Sequence, residues 1–185
     1  DYVAKWDGAN WSALGSNGAG DGSFIGGSYI SSLAVSGTDV YVGGSFTDVN
    51  NSGTVLTAAD RVAKWDGSNW SALGSNGAAN GSITSGTVYS LGVNGSNVYV
   101  GGQFTDVNNN GSVLTTADYL AKWDGTNWAA LGSNGAGNGA LNAIPCAFFF
   151  SGTDVCVGGQ FTNVNNSGTP IPEANQFEYS IPSVD

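Results

Sequence analysis

Short apolar runs alternate with clusters of glycine, asparagine, serine and aspartate along the whole chain, and no stretch spaces its apolar residues as a helix would. Val88-Tyr89-Ser90-Leu91-Gly92-Val93 reads as a strand, and Asn94-Gly95-Ser96-Asn97 as a hairpin turn whose Asn-Gly pair tolerates the positive φ of a tight reversal. Val98-Tyr99-Val100 is the return strand, ending at Gly101-Gly102 and Phe104-Thr105. A polar loop runs from Asp106 to Asp118. Tyr119-Leu120-Ala121-Lys122-Trp123 is the third predicted strand, Asp124-Gly125-Thr126-Asn127 a turn, and Trp128-Ala129-Ala130-Leu131 the fourth strand. The unit is therefore a small antiparallel sheet of four strands.

The pattern is written three times. Trp6-Asp7-Gly8-Ala9-Asn10-Trp11 returns as Trp65-Asp66-Gly67-Ser68-Asn69-Trp70 and as Trp123-Asp124-Gly125-Thr126-Asn127-Trp128, a period of about 58 residues. Gly43-Gly44, Gly101-Gly102 and Gly158-Gly159 recur in step. Each unit must stack on a neighbour to bury its apolar face. A meander of four strands repeated about an axis is a propeller blade. The predicted fold is all-β: a β-propeller-like array of about three four-stranded antiparallel blades, incomplete at both termini. The repeats span 1–169, and a proline-flanked tail spans 170–185, with Gln176-Phe177-Glu178-Tyr179-Ser180-Ile181 as a degenerate closing strand. The two tryptophans of each copy should face each other across their turn. The doublet glycines should let backbones approach closely.

Composition narrows the partners. With four basic and fourteen acidic residues the net charge is -10, a surface that repels nucleic acid and anionic membranes. No apolar run is long enough to span a bilayer, so no membrane insertion is expected. The chain lacks Met and opens inside a repeat, as a processed product or internal fragment would. Scarce Lys, Arg and Glu beside abundant Gly, Asn, Ser and Thr fit an extracellular or cell-surface protein. A two-residue turn at Gly152-Thr153 would put Cys156 opposite Phe149 and Cys146 opposite Gly159, on opposite sheet faces. A disulfide between them is then disfavoured unless a bulge shifts the register, and both read as small core residues.

Val40-Tyr41-Val42-Gly43-Gly44, then a strand ending Trp65-Asp66-Gly67, then Asn69-Trp70, resembles the kelch repeat. It is closer still to the tandem YVGGxFT…AKWDGxxWxALG repeats of bacterial surface and secreted proteins and of some fungal cell-surface proteins. The resemblance reaches to about Gly168. It implies a β-propeller or propeller-like array used for binding and display. Three periods fall short of the four blades that propellers need. The chain is a piece of a longer protein, or two chains pool blades into one ring, or the half-blade at one end completes that of another copy by strand addition.

Asp48, Asn50, Ser52 and Asp60, and in the second copy Asp106, Asn108, Asn110 and Asp118, carry oxygens at alternate positions about a glycine, as a Ca2+ loop does. The spacing is not that of an EF-hand. The third copy, with Asn163, Asn165, Ser167 and Asn175, has lost both charges. The competing reading, which weighs more, is a metal-free loop held by Asx turns. Trp6, Trp11, Trp65, Trp70, Trp123 and Trp128 could stack on sugars, but their identical placement favours packing. Asn10, Asn50, Asn69, Asn80, Asn94, Asn110 and Asn165 each open an Asn-x-Ser glycosylation motif, frequent by chance in so Asn/Ser-rich a chain. With no histidine, Ser-His or Cys-His catalysis has no residues to run on, and the reading is not an enzyme. The expected function is an extracellular structural or adhesive repeat protein. Its partners are copies of itself, joined head to tail into a filament or surface layer. The alternative is a glycan- or protein-binding propeller module of a longer secreted protein.

Overall fold

A computed structural model describes residues 2–24 and 27–174. The described chain is all-β, with eighteen short strands and one 3-10 turn at Pro172–Ala174. It opens with the hairpin β1 (Ala4–Trp6) and β2 (Trp11–Ala13). The next repeat supplies β3 (Ile30–Ser36), β4 (Asp39–Gly44), a small hairpin β5 (Val49–Asn51) and β6 (Thr54–Leu56), then β7 (Val62–Trp65) and β8 (Trp70–Ala72). The following repeat repeats the order as β9 (Thr87–Asn94), β10 (Asn97–Gln103), β11 (Val107–Asn109), β12 (Ser112–Leu114), β13 (Leu120–Trp123) and β14 (Trp128–Ala130). The last described elements are β15 (Pro145–Ser151), β16 (Asp154–Gly159), β17 (Asn165–Asn166) and β18 (Thr169–Pro170). The closing strand expected over 176–181 lies outside the described residues.

Two antiparallel sheets of four strands form, ordered β3-β4-β7-β8 and β9-β10-β13-β14. They match the strand order expected of one period. β1-β2 and β15-β16 remain separate two-stranded sheets. Trp6 pairs with Trp11, Trp65 with Trp70 and Trp123 with Trp128, with ring centroids 5.4–5.5 Å apart. The Asp of each turn shapes it: Asp66 Oδ1 accepts the backbone N–H groups of Ser68 and Asn69 at 2.8 and 2.7 Å.

Alternation along the sequence misses one feature of every first strand. Opposite each glycine doublet the ladder skips a residue, leaving Ser31, Tyr89 and Cys146 as bulges. Cys156 does face Phe149, but Cys146 does not face Gly159, which pairs with Pro145. Both thiols are free and exposed, not core residues, because nothing covers that end of the last sheet among the described residues. The bulge explains the second glycine of each doublet. A Cβ on Gly44 or Gly102 would fall 1.9 or 2.2 Å from the carbonyl oxygen of Tyr29 or Thr87.

The core lies between successive repeats rather than within one. β9 packs on β3 and β4, and β15 packs on β9 and β10. One cluster joins Val3, Leu14 and Phe24 to Val42, Phe46, Val49, Ala59, Ala63 and Trp70. The other joins Val62, Leu73 and Ile83 to Val100, Phe104, Val107, Ala117, Ala121 and Trp128. The nine residues named in the second are those of the first displaced by one repeat, and Tyr41, Val88 and Val98 join the second as well. Each fully buried Val, Leu, Ile or Phe contributes about 1.5–3 kcal/mol.

Candidate functional site

The joint between the two four-stranded sheets is built from three contacts, and two of the three recur at each neighbouring joint. Trp70 Nε1–H donates to the Leu14 carbonyl at 2.8 Å, and Trp128 Nε1–H to the Leu73 carbonyl at 2.7 Å. Trp70 and Trp128 are thus buried pegs, 3% exposed, and not sugar platforms. Trp6 and Trp11, on the first described hairpin, are 50% and 70% exposed.

The polar loop is the second contact. Its centre folds into the small hairpins β5-β6 and β11-β12, turning at Ser52-Gly53 and Asn110-Gly111 with positive φ at both residues. The hairpin docks on the Gly-Ser-Asn-Gly loop of the preceding repeat: Ser52 N–H donates to Ser16 O and Asn110 N–H to Ser75 O, at 2.8 and 2.9 Å. Of the eight side chains expected to ligate Ca2+, Asn50, Asp60, Asn108 and Asp118 make backbone contacts, and Asn110 Oδ1 accepts from the Ser75 hydroxyl at 3.3 Å. Asp60 Oδ1 accepts from Asp48 N–H at 2.9 Å, and its Oδ2 from Gly81 N–H at 3.0 Å in the next repeat. Asp118 repeats this with Asp106 and Gly139, at 2.9 and 3.1 Å. Asn50 Oδ1 and Asn108 Oδ1 accept from Gly53 and Gly111 N–H at 2.8 Å. Ser52 and Asn110 sit at the left-handed turn positions. Among the described residues no three His, Cys, Asp or Glu side chains gather. Asn175 lies outside the described residues.

The third contact is a socket. A Cβ on Gly43 would lie 2.5 Å from Val88 Cγ1 and 3.2 Å from Leu91, and one on Gly101 would lie 3.0 Å from Pro145 Cβ. Gly43 and Gly101, the first glycines of their doublets, therefore receive the first strand of the next repeat. Around it Ala34 and Tyr41 pack with Leu91 and Val93, and Tyr99 meets Phe148 and Phe150 with centroids 6.2 and 5.2 Å apart. Polar clasps secure the socket. Leu91 N–H donates to Ser32 Oγ at 2.9 Å, Ser90 Oγ–H donates to the Pro145 carbonyl at 2.8 Å, and Ser31 Oγ–H donates to the Val88 carbonyl. Strand reading passes over these serines; Ser32 and Ser90 hold the same place in successive repeats, whereas Ser31 stands where the next repeat has Tyr89.

The first and last described hairpins make fewer of these contacts. Among the described residues no atom lies within 4 Å of a Cβ position on Gly158, and Phe149 on the same sheet is 68% exposed. At the other end Leu33 and Val35, which hold the places of Leu91 and Val93, are 52% and 64% exposed. They line an apolar groove of about 540 Å³ with Val3, Leu14, Val40 and Trp65.

Of the glycosylation motifs, Asn10, Asn69, Asn80 and Asn110 are exposed, whereas Asn50, Asn94 and Asn165 are half-buried. The Asn94 side chain is engaged, donating to the Gly152 carbonyl at 2.8 Å. No family model matches the chain, and no curated protein or solved structure matches it.

Proposed function

We propose that this chain is a non-enzymatic extracellular structural protein whose propeller-like sheets stack head to tail with other copies into a filament or surface layer. The observation that carries this reading is the repetition of the joint. The same glycine socket is filled at Gly43 and Gly101, while at Gly158 no described residue enters it. A heterologous contact that does not close on itself propagates. The tryptophan pegs, docked hairpins, aspartates bridging to Gly81 and Gly139, and glycine sockets all hold one repeat on the next, which is what a rigid scaffold requires. Light scattering over a concentration series, followed by electron microscopy, tests it. Open-ended oligomers growing with concentration are expected, and a monomer at every concentration overturns it.

The exposed Trp6–Trp11 pair favours a second reading, a glycan- or protein-binding module of a longer secreted protein. Saturable glycan binding lost in Trp11→Ala would select it.

A further inference from the structure

The head-to-tail reading leaves open which strands meet, and the repeat supplies the answer. We infer that β1 of one copy pairs with the edge of β16 that no described strand covers in another, completing a four-stranded sheet ordered β15-β16-β1-β2 across the two molecules. This rests on the assembly reading and gives it a register.

Within the chain, the strand that ends in the glycine doublet always pairs with an Ala-Lys-Trp strand. Val40 pairs with Trp65, Tyr41 with Lys64, Val42 with Ala63 and Gly43 with Val62. Val98 pairs with Trp123, Tyr99 with Lys122, Val100 with Ala121 and Gly101 with Leu120. β16 carries the doublet and pairs only with β15 among the described residues, while β1 carries Ala4-Lys5-Trp6 and pairs only with β2. The same register sets Val155 against Trp6 of the second copy, Cys156 against Lys5, Val157 against Ala4 and Gly158 against Val3. The residues 176–181 carry no Ala-Lys-Trp sequence. Joined in this way, β15-β16 and β1-β2 make a sheet of the same four-strand order as β3-β4-β7-β8 and β9-β10-β13-β14.

Charge and volume fit the same joint. Lys64 Nζ pairs with Asp39 Oδ2 at 3.2 Å, and the third repeat has Asp154 at the place of Asp39. Lys5 of the second copy therefore meets Asp154 as Lys64 meets Asp39. The face of each first hairpin that receives the next repeat carries one small and one large residue directly opposed. These are Ala34 with Tyr41 and Gly92 with Tyr99. On the open face they are Phe149 with Cys156: the large residue has changed strands and the pair has kept a comparable bulk. This face would cover Leu33 and Val35 of the second copy and fill the apolar groove beside them. An open edge with unpaired backbone groups is a template for such pairing.

Disulfide trapping on the 185-residue chain tests the register. In a Cys146→Ser background, Lys5→Cys faces Cys156 across the proposed ladder, where paired Cα atoms lie about 4.5–5.5 Å apart and within disulfide range. Ala4→Cys points to the other face and is the control. Under oxidised glutathione, Lys5→Cys should give a ladder of covalent dimers and higher species that is lost in Ala4→Cys and on reduction. Oligomers by light scattering without that cross-link overturn the register and leave the assembly reading standing. A cross-link confined to the monomer shows that the chain closes on its own β1, and a cross-link from Cys156 to Tyr179→Cys gives the edge to its own tail; either overturns the inference. Monomers throughout overturn both readings. Gly158→Val supplies a second check, because no described atom of a single copy lies within 4 Å of a Cβ there. Oligomers should be lost while far-ultraviolet circular dichroism stays unchanged, and undiminished oligomers count against the joint.

Discussion

Trp128 and Trp11 occupy the same place in the repeat, yet one is 3% exposed and the other 70%. Leu33 and Leu91 likewise share a place, and Leu33 is left 52% exposed on its open face while Leu91 packs on the repeat before it. The local sequence is the same at the interior joint and at the open end; the neighbour differs. Burial in this molecule is a property of adjacency. A solenoid-like array gains stability from nearest-neighbour interfaces, and its first and last units are the ones left short. The sharpest break of this comparison is a matched pair of truncations. Trp128→Ala should cost about 3–5 kcal/mol, as large aromatic deletions from a core do. Trp11→Ala should cost under about 0.5 kcal/mol in the monomer. Urea unfolding of both variants measures the difference; equal losses would mean that the two tryptophans have equivalent surroundings in solution.

The aspartate staples come next in size. Asp118 receives one N–H from its own loop and one from Gly139 of the following repeat. Asp118→Ala leaves two donors without an acceptor and should cost about 2–4 kcal/mol, with charge-assisted bonds being the stronger kind. Hydrogen exchange should show the loss at both Asp106 and Gly139 amides. Protection lost at Asp106 alone would mean that the staple does not cross the joint.

The glycine sockets give a smaller and cleaner contrast. Gly101→Ala drives a methyl against Ser90 Oγ and Pro145 and should cost about 1–3 kcal/mol, whereas Gly158→Ala meets open space and should be neutral in the monomer. Thermal melts at low protein concentration compare them. If Gly158→Ala is as costly as Gly101→Ala, something already fills the third socket.

Much of this was legible beforehand. The four strands, their turns and the tryptophan pairing follow from the period, because each unit repeats the same turn chemistry at the same offsets. Three features did not follow, each for a physical reason. The bulges at Ser31, Tyr89 and Cys146 insert a residue, which shifts the alternation by one and misplaces every residue beyond it. The hairpin β11-β12 is only three residues a side, too short for alternation to register, though Asn110-Gly111 carried its turn signal. Asp60 and Asp118 resemble ligands in sequence because a carboxylate that caps backbone N–H groups and one that binds a cation stand at similar spacings. Only the positions of Gly81 and Gly139, brought in from the next repeat, show what their oxygens hold.

The smallest effect tests whether any part of the repeat is indifferent to its neighbours. Asp7, Asp66 and Asp124 stand at the exposed turns, one on the open hairpin and two on complete sheets. The backbone N–H of Asn10, then that of Ala9, holds the Asp7 carboxyl below its ordinary value of 3.8. Asn69 and Ser68 do the same for Asp66, and Asn127 and Thr126 for Asp124. A carboxylate whose folded pKa is depressed contributes stability above its unfolded pKa of about 3.9, and that contribution fades as pH falls through the lower folded value. The melting temperature should therefore drop on acidification below about pH 4, and the drop should be shallower in an Asp7→Asn, Asp66→Asn, Asp124→Asn variant, whose amide oxygens accept the same bonds without titrating. Carboxyl-resolved NMR titration should find all three below 3.8, Asp7 with the others, since each turn makes its bonds within four residues of chain. An Asp7 that titrates at its ordinary value would mean that even the turn depends on having a sheet beside it.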